Sequence, residues 1–164
     1  MKKLIISSLF IFLATSASIK ANTKVVIKDN GIESIASDVL RQFGYSFYRA
    51  TNVNWTINNT YQKATFLLNG KVTYALYDLN NRFLVATQLT NVSELPERVK
   101  ASLTSEYAAY KVTNVLKVIE RPSDFQYDDD TNSYWLDLVS EKQHLVAIAV
   151  TNSSINIVKK ENVQ

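Results

Sequence analysis

The chain contains no cysteine. That excludes disulfide staples, thiol nucleophiles, thiolate metal centres and a lipidated N-terminal cysteine anchor. Glycine is almost as scarce, at Gly31, Gly44 and Gly70 alone. No two of these are close enough to cradle a phosphate or form a dinucleotide fingerprint, so nucleotide chemistry is not expected. His144 is the single histidine, which rules out a multi-histidine metal centre. Beyond the first residues there is no long apolar run, so no membrane span is expected after them.

What is present begins at the N-terminus. Met1-Lys2-Lys3 is short and positive, Leu4–Ala14 is uncharged and mostly apolar, and small residues cluster at Thr15–Ser18. This is the three-part pattern of a secretory signal peptide, with an apolar run too short to span a bilayer comfortably. The expected location is periplasmic or secreted. A cut after Ala21 removes Lys2, Lys3 and Lys20, and the formal charge falls from +3 to zero. No basic surface follows from the high isoelectric point, and no basic stripe interleaves with aromatics, so nucleic-acid binding is not expected. The remaining chain of about 143 residues suits one domain and is long enough to bury a core without staples.

Residues 22–30 read as a flexible lead-in, with Val25–Ile27 as a short edge strand the alternative. Residues 31–160 read as a single α+β domain, built as two α–β halves. Ile32, Ile35, Val39, Leu40 and Phe43 recur at helical spacing between Gly31 and Gly44, which predicts a helix over Ile32–Phe43. The period then changes. Trp55–Ile57, Lys63–Leu68, Lys71–Tyr77 and Arg82–Gln88 predict strands of an antiparallel meander, with Asn69-Gly70 as a two-residue hairpin turn. Ser93-Glu94-Leu95-Pro96-Glu97 opens a second helix, with Val99, Leu103 and Tyr107 on one face. Strands are predicted again at Val112–Ile119, Ser133–Val139, Leu145–Val150 and Ser154–Val158. The fold class is therefore α+β: two helices packed on antiparallel sheet, in the order helix, meander, helix, meander.

Few constellations carry chemistry. Asp128, Asp130 and Asn132 alternate as oxygen ligands do at the start of a calcium loop, but Ser133 stands where the loop needs glycine and Val139 where it needs glutamate. A solvated acidic loop is the better reading, with a weak cation site at those three residues the alternative. His144 lies near Asp137 and Ser140, yet all three fall in or beside one hairpin without a nucleophile elbow, so a polar histidine beside a turn is preferred to a hydrolytic triad. The acids are scattered and pair nowhere in sequence, so no enzyme and no cofactor are expected. Aromatics are the remaining signal. Alternation in Ser133–Val139 puts Tyr134, Leu136 and Leu138 on one face and Trp135 and Asp137 on the other. With the helices over the first face, Trp135 and Tyr77 are expected on an open sheet face, and with Asp137 they are the candidate partner-binding residues.

Three segments together carry a family resemblance: Asn52–Trp55, Ala64–Gly70 through Ala75–Asp78 to Phe83-Leu84, and Leu95-Pro96 opening a helix that ends at Glu106-Tyr107. With the closing run from Tyr134–Leu138 to Ile155, this arrangement resembles the PepSY-like exported proteins of Bacteroidota, a family described as β-lactamase-inhibitor-like. Asn81 stands where that family's second turn usually has glycine. The resemblance implies an exported α+β module without catalytic residues. The function expected is binding of an exported protein partner, inhibitory or regulatory. A small-ligand or cation-binding envelope protein is the alternative.

Overall fold

The computed structural model describes residues 34–122, 133–151 and 154–163. The N-terminal segment read as a signal peptide and lead-in, and the acidic loop with Asp128, Asp130 and Asn132, lie outside them. The described chain forms two compact units, one of residues 34–89 with 118–122 and one of residues 90–117 with 133–151 and 154–163.

The first unit opens with helix α1, Ser37–Ser46, which buries Val39 and Phe43. It runs past Gly44, which the sequence placed at its end. A glycine inside a helix costs about 1 kcal/mol, and the Phe43–Phe47 ring contact at 5.3 Å outweighs it. The helix ends at Ser46, two residues past Gly44, and the Phe47 N–H that follows donates to the Phe43 carbonyl. Strands β1 (Thr51–Ile57), β2 (Tyr61–Leu68), β3 (Lys71–Asp78) and β4 (Phe83–Leu89) follow as an antiparallel meander. The β2–β3 turn has Asn69 at φ 52° and Gly70 at φ 76°, so both central residues are left-handed and the turn matches the twist of the strands it joins. At the next turn Asn81 takes φ 65°. The Asp78 carboxylate accepts from the backbone N–H groups of Asn80 and Arg82 and from Arg82 Nε. Buried Gln62 donates to the Asp78 carbonyl and to Asn81 Oδ1, which satisfies a polar side chain that water cannot reach.

Register decides this unit's core. Trp55, Ala64, Ala75 and Ala86 pair in one row across four strands. Phe43 and Phe47 of α1 and its C-terminal turn fill the trough that the alanines leave. The Phe43 ring lies 5.2 Å from Trp55 and 5.0 Å from Phe66, both edge-on, the arrangement that ring quadrupoles favour. Ile119 packs against the same cluster.

The second unit begins with a single 3₁₀ turn at Val92–Glu94, and Pro96 then stands immediately before helix α2, Glu97–Ser105. Proline's missing N–H costs nothing there, and Glu97 lies at the positive end of the helix dipole. Strands β5 (Lys111–Glu120), β6 (Ser133–Val139), β7 (Gln143–Val150) and β8 (Ile155–Asn162) pair antiparallel in chain order. The last residues of β5, from Val118, group with the first unit. Leu95, Val99 and Leu103 share one buried cluster with Val115, Tyr134, Leu136, Leu138, Leu145, Ala147 and Ile155, and Tyr107 and Tyr110 pack at its rim.

Candidate functional site

The strand period of two turns Trp135 and Asp137 away from the cluster under α2. On that face the register of β6, β7 and β8 gathers four polar side chains. His144 pairs directly with Glu161 and Val146 with Lys159, while Asp137 pairs with Val146 and so stands diagonal to His144. The His144 ring donates from Nε2 to Asp137 Oδ1 at 2.9 Å. Its Nδ1 lies 3.7 Å from Glu161 Oε2, and Lys159 Nζ reaches Glu161 Oε1 at 2.5 Å. The row thus runs carboxylate, imidazole, carboxylate, ammonium across three strands.

Its electrostatics are graded from dry to wet. Asp137 is 2% exposed, and burial raises its carboxyl above the usual range. Hydrogen bonds from His144 and Asn114 and the nearby imidazole charge act against that rise. Glu161 is open to water, and its hydrogen bond from Lys159 holds it below the usual range. Chemically, the row holds a desolvated carboxyl–imidazole hydrogen bond in fixed geometry and presents an ion pair at its outer end. None of these four side chains is a hydroxyl or a thiol. The Ser140 hydroxyl is engaged in its own turn, donating to the Gln143 carbonyl and accepting from the Gln143 and Lys142 N–H groups. His144 is the second residue of β7 and half-buried, not a residue of the turn.

The candidates chosen from sequence fare differently. Tyr77 is corrected: it is 0% exposed and belongs to the aromatic core, 5.8 Å from the Trp55 ring and 5.4 Å from Phe83. Its strand parity matches Ala75, the floor beneath α1, so it faces the helix. Its hydroxyl is buried without a hydrogen-bond partner among the described residues, and burial, with Glu120 nearby, raises its pKa well above the ordinary tyrosine value. Trp135 lies on the face away from α2 but is 3% exposed, so the indole is buried and not presented to solvent. Asp137 is drawn into a pair with His144, which the sequence raised only as part of a disfavoured hydrolytic triad with Ser140. Glu161 and Lys159 went unnoticed as members of a site. Their signal was the alternation of β8 set against β7, which needs the register to be read.

In the first unit the face away from α1 carries Lys63, whose ammonium stands 5.7 Å from the Tyr74 ring centroid and whose pKa burial lowers to about 8. Among the described residues no group of three histidine, cysteine or acidic side chains is placed to hold a metal ion, and no helix is long and apolar enough to cross a membrane.

No protein-family model matches the chain, and no curated protein matches it significantly. Solved structures do. A DUF2874 family protein from Bacteroides uniformis superposes with a TM-score of 0.61 at 21% identity, over 78% of this chain and 89% of that one. A protein provisionally assigned to the periplasm in Bacteroides eggerthii gives 0.60 at 17% identity, over 77% and 88%. A BLIP-like protein from Bacteroides fragilis gives 0.59 at 17% identity, over 78% and 86%. At these identities the likeness is one of fold: this chain has the antiparallel α+β fold of the BLIP-like and DUF2874 structures of Bacteroides.

Proposed function

We propose that the chain is an exported, non-catalytic binding module of the PepSY-like, β-lactamase-inhibitor-like kind. It engages a protein partner through the sheet face that carries Asp137, His144, Lys159 and Glu161. The observation that carries this reading is the polar row itself, a buried Asp–His pair continuous with a solvent-reaching Glu–Lys pair. Such a row suits recognition: the inner pair fixes geometry and the outer pair meets the partner's charges. The fold shared with a BLIP-like protein supports binding over hydrolysis. Trp135 lies on the same face but is buried, so it supports that face from within and does not itself meet the partner.

The test is direct. Mature protein from Asn22 is used to capture partners from envelope and secreted extracts, beside Glu161→Lys and Lys159→Glu variants with unchanged melting temperatures. A protein held by the wild type and lost from both variants supports the reading. Equal capture by all three overturns it. An inhibitor abolishes the captured enzyme's activity in a one-to-one complex, whereas a regulatory partner is bound with its activity intact.

A further inference from the structure

We propose that the outward side of α1 and the turn after it is a second contact surface, which takes an acidic segment of a partner protein. Successive helical residues are 100° apart. Val39 and Phe43 therefore face the core, while Arg41 and Tyr45 point the opposite way. The turn continues this division, burying Phe47 and leaving Tyr48 and Arg49 outside. Tyr45 is 89% exposed and Tyr48 74%, the two most exposed large hydrophobic residues among the described residues. The Arg49 guanidinium stands 5.2 Å over the Tyr48 ring, which pre-orders both groups in a cation–π contact. Neither arginine forms an ion pair with another described residue, so both forks are available.

Charge selects the occupant. The outward side of the helix and turn carries two guanidiniums, Arg41 and Arg49, against one carboxylate, Asp38, and so is net positive. Asp38 lies on the same side in the first turn of the helix, where it accepts from the Ser37 hydroxyl. A surface of this sign attracts carboxylates, and the planar arginine fork matches a carboxylate bidentately. Tyrosine and arginine are also the side chains that most often anchor protein interfaces. The stripe carries no Leu, Ile, Phe or Trp to insert among acyl chains, which favours an acidic protein segment over a lipid surface.

The experiment titrates full mature protein against a fluorescein-labelled oligoglutamate peptide, reading anisotropy at low and physiological salt. Arg41→Glu with Arg49→Glu is expected to weaken binding at least about tenfold and to flatten the salt dependence. Tyr45→Ser with Tyr48→Ser is expected to weaken it several-fold, while Tyr45→Phe with Tyr48→Phe keeps most of it. The polar row is read separately, by capture with the Glu161→Lys and Lys159→Glu variants, so failure of this surface and failure of the row are distinguishable. All four substituted positions in the stripe are exposed, so the variants are expected to fold, and melting curves check this. No binding of the peptide by the wild type overturns the proposal, as does equal binding by the double arginine variant. Binding to anionic phosphatidylglycerol vesicles in place of the peptide also overturns it.

Discussion

The two units set a helix against a four-strand antiparallel meander and fill the gap between them in different ways. The first uses rings over a small floor: Phe43, Phe47, Phe66 and Trp55 above a row of Ala64, Ala75 and Ala86. The second uses aliphatic chains of middle size from both sides, Val99 and Leu103 from the helix against Leu136, Leu138 and Leu145 from the sheet. Either choice reaches native packing density, because what must match is the summed volume between the layers. The two differ in tolerance. Aliphatic side chains can shift rotamers singly, but a ring seated on alanines is held by several neighbours at once.

The comparison breaks most readily at Phe43. Phe43→Ala removes contacts to three rings and should cost about 3–5 kcal/mol, against about 2–5 kcal/mol for Leu136→Ala in the other unit. Urea unfolding monitored by circular dichroism measures both, and an equal or smaller loss at Phe43 would count against the ring-over-floor account. Overpacking comes next. Ala75→Leu pushes a branched chain into the trough and should cost about 1–3 kcal/mol, more than Ala147→Leu, whose row neighbours Leu136 and Ile157 are flexible. Tyr77→Phe runs the other way. It deletes a buried hydroxyl that has no partner among the described residues, and it should leave stability unchanged or raise it by about 1 kcal/mol.

The smallest effect sharpens the contrast through pH. Asp137, in the second unit, has its carboxyl raised by burial against the help of His144. Its folded state therefore binds the proton more tightly than the unfolded chain does. Its contribution is full below the ordinary aspartate range and is lost as pH rises through the raised value. Asp78, in the first unit, is opposed by some burial but is held low by the backbone N–H groups and guanidinium of Arg82 and by the Asn80 N–H. Its contribution is present above the ordinary range and is lost as pH falls through the lowered value. Stability profiles of Asp137→Asn and Asp78→Asn against wild type should diverge in opposite directions across mild acid. Parallel profiles would refute the assignment.

Local chemistry made parts of this fold legible. Asn69-Gly70 marked a hairpin because both residues tolerate positive φ, and both adopt it. Ser133–Val139 is a run rich in aromatic and aliphatic residues between polar segments, and β6 has those bounds. Gly44 misled because glycine ends helices only where packing does not carry them on. Tyr77 misled for another reason: alternation says which residues share a face but not which face the helix covers. The Ala64–Ala75–Ala86 row settles that, and it is visible only once three strands are in register. The polar row was hidden in the same way. Asp137 and His144 are seven apart, and Glu161 is brought opposite His144 by a β7–β8 register that shifts between Val146 and Ala147. No local propensity encodes that shift.

Strand β5 has one further consequence. Val115 is part of the core under α2, while Ile119, four residues later, packs against the aromatic core of the first unit. The first unit is therefore not a continuous stretch of chain. During synthesis its rings and alanines are all in place by residue 89, yet one of its packing partners is made only after the second helix. A fragment ending at Leu89 would present an incomplete aromatic core to water, so a gene cut between the two meanders is expected to yield an aggregation-prone product and not half a protein.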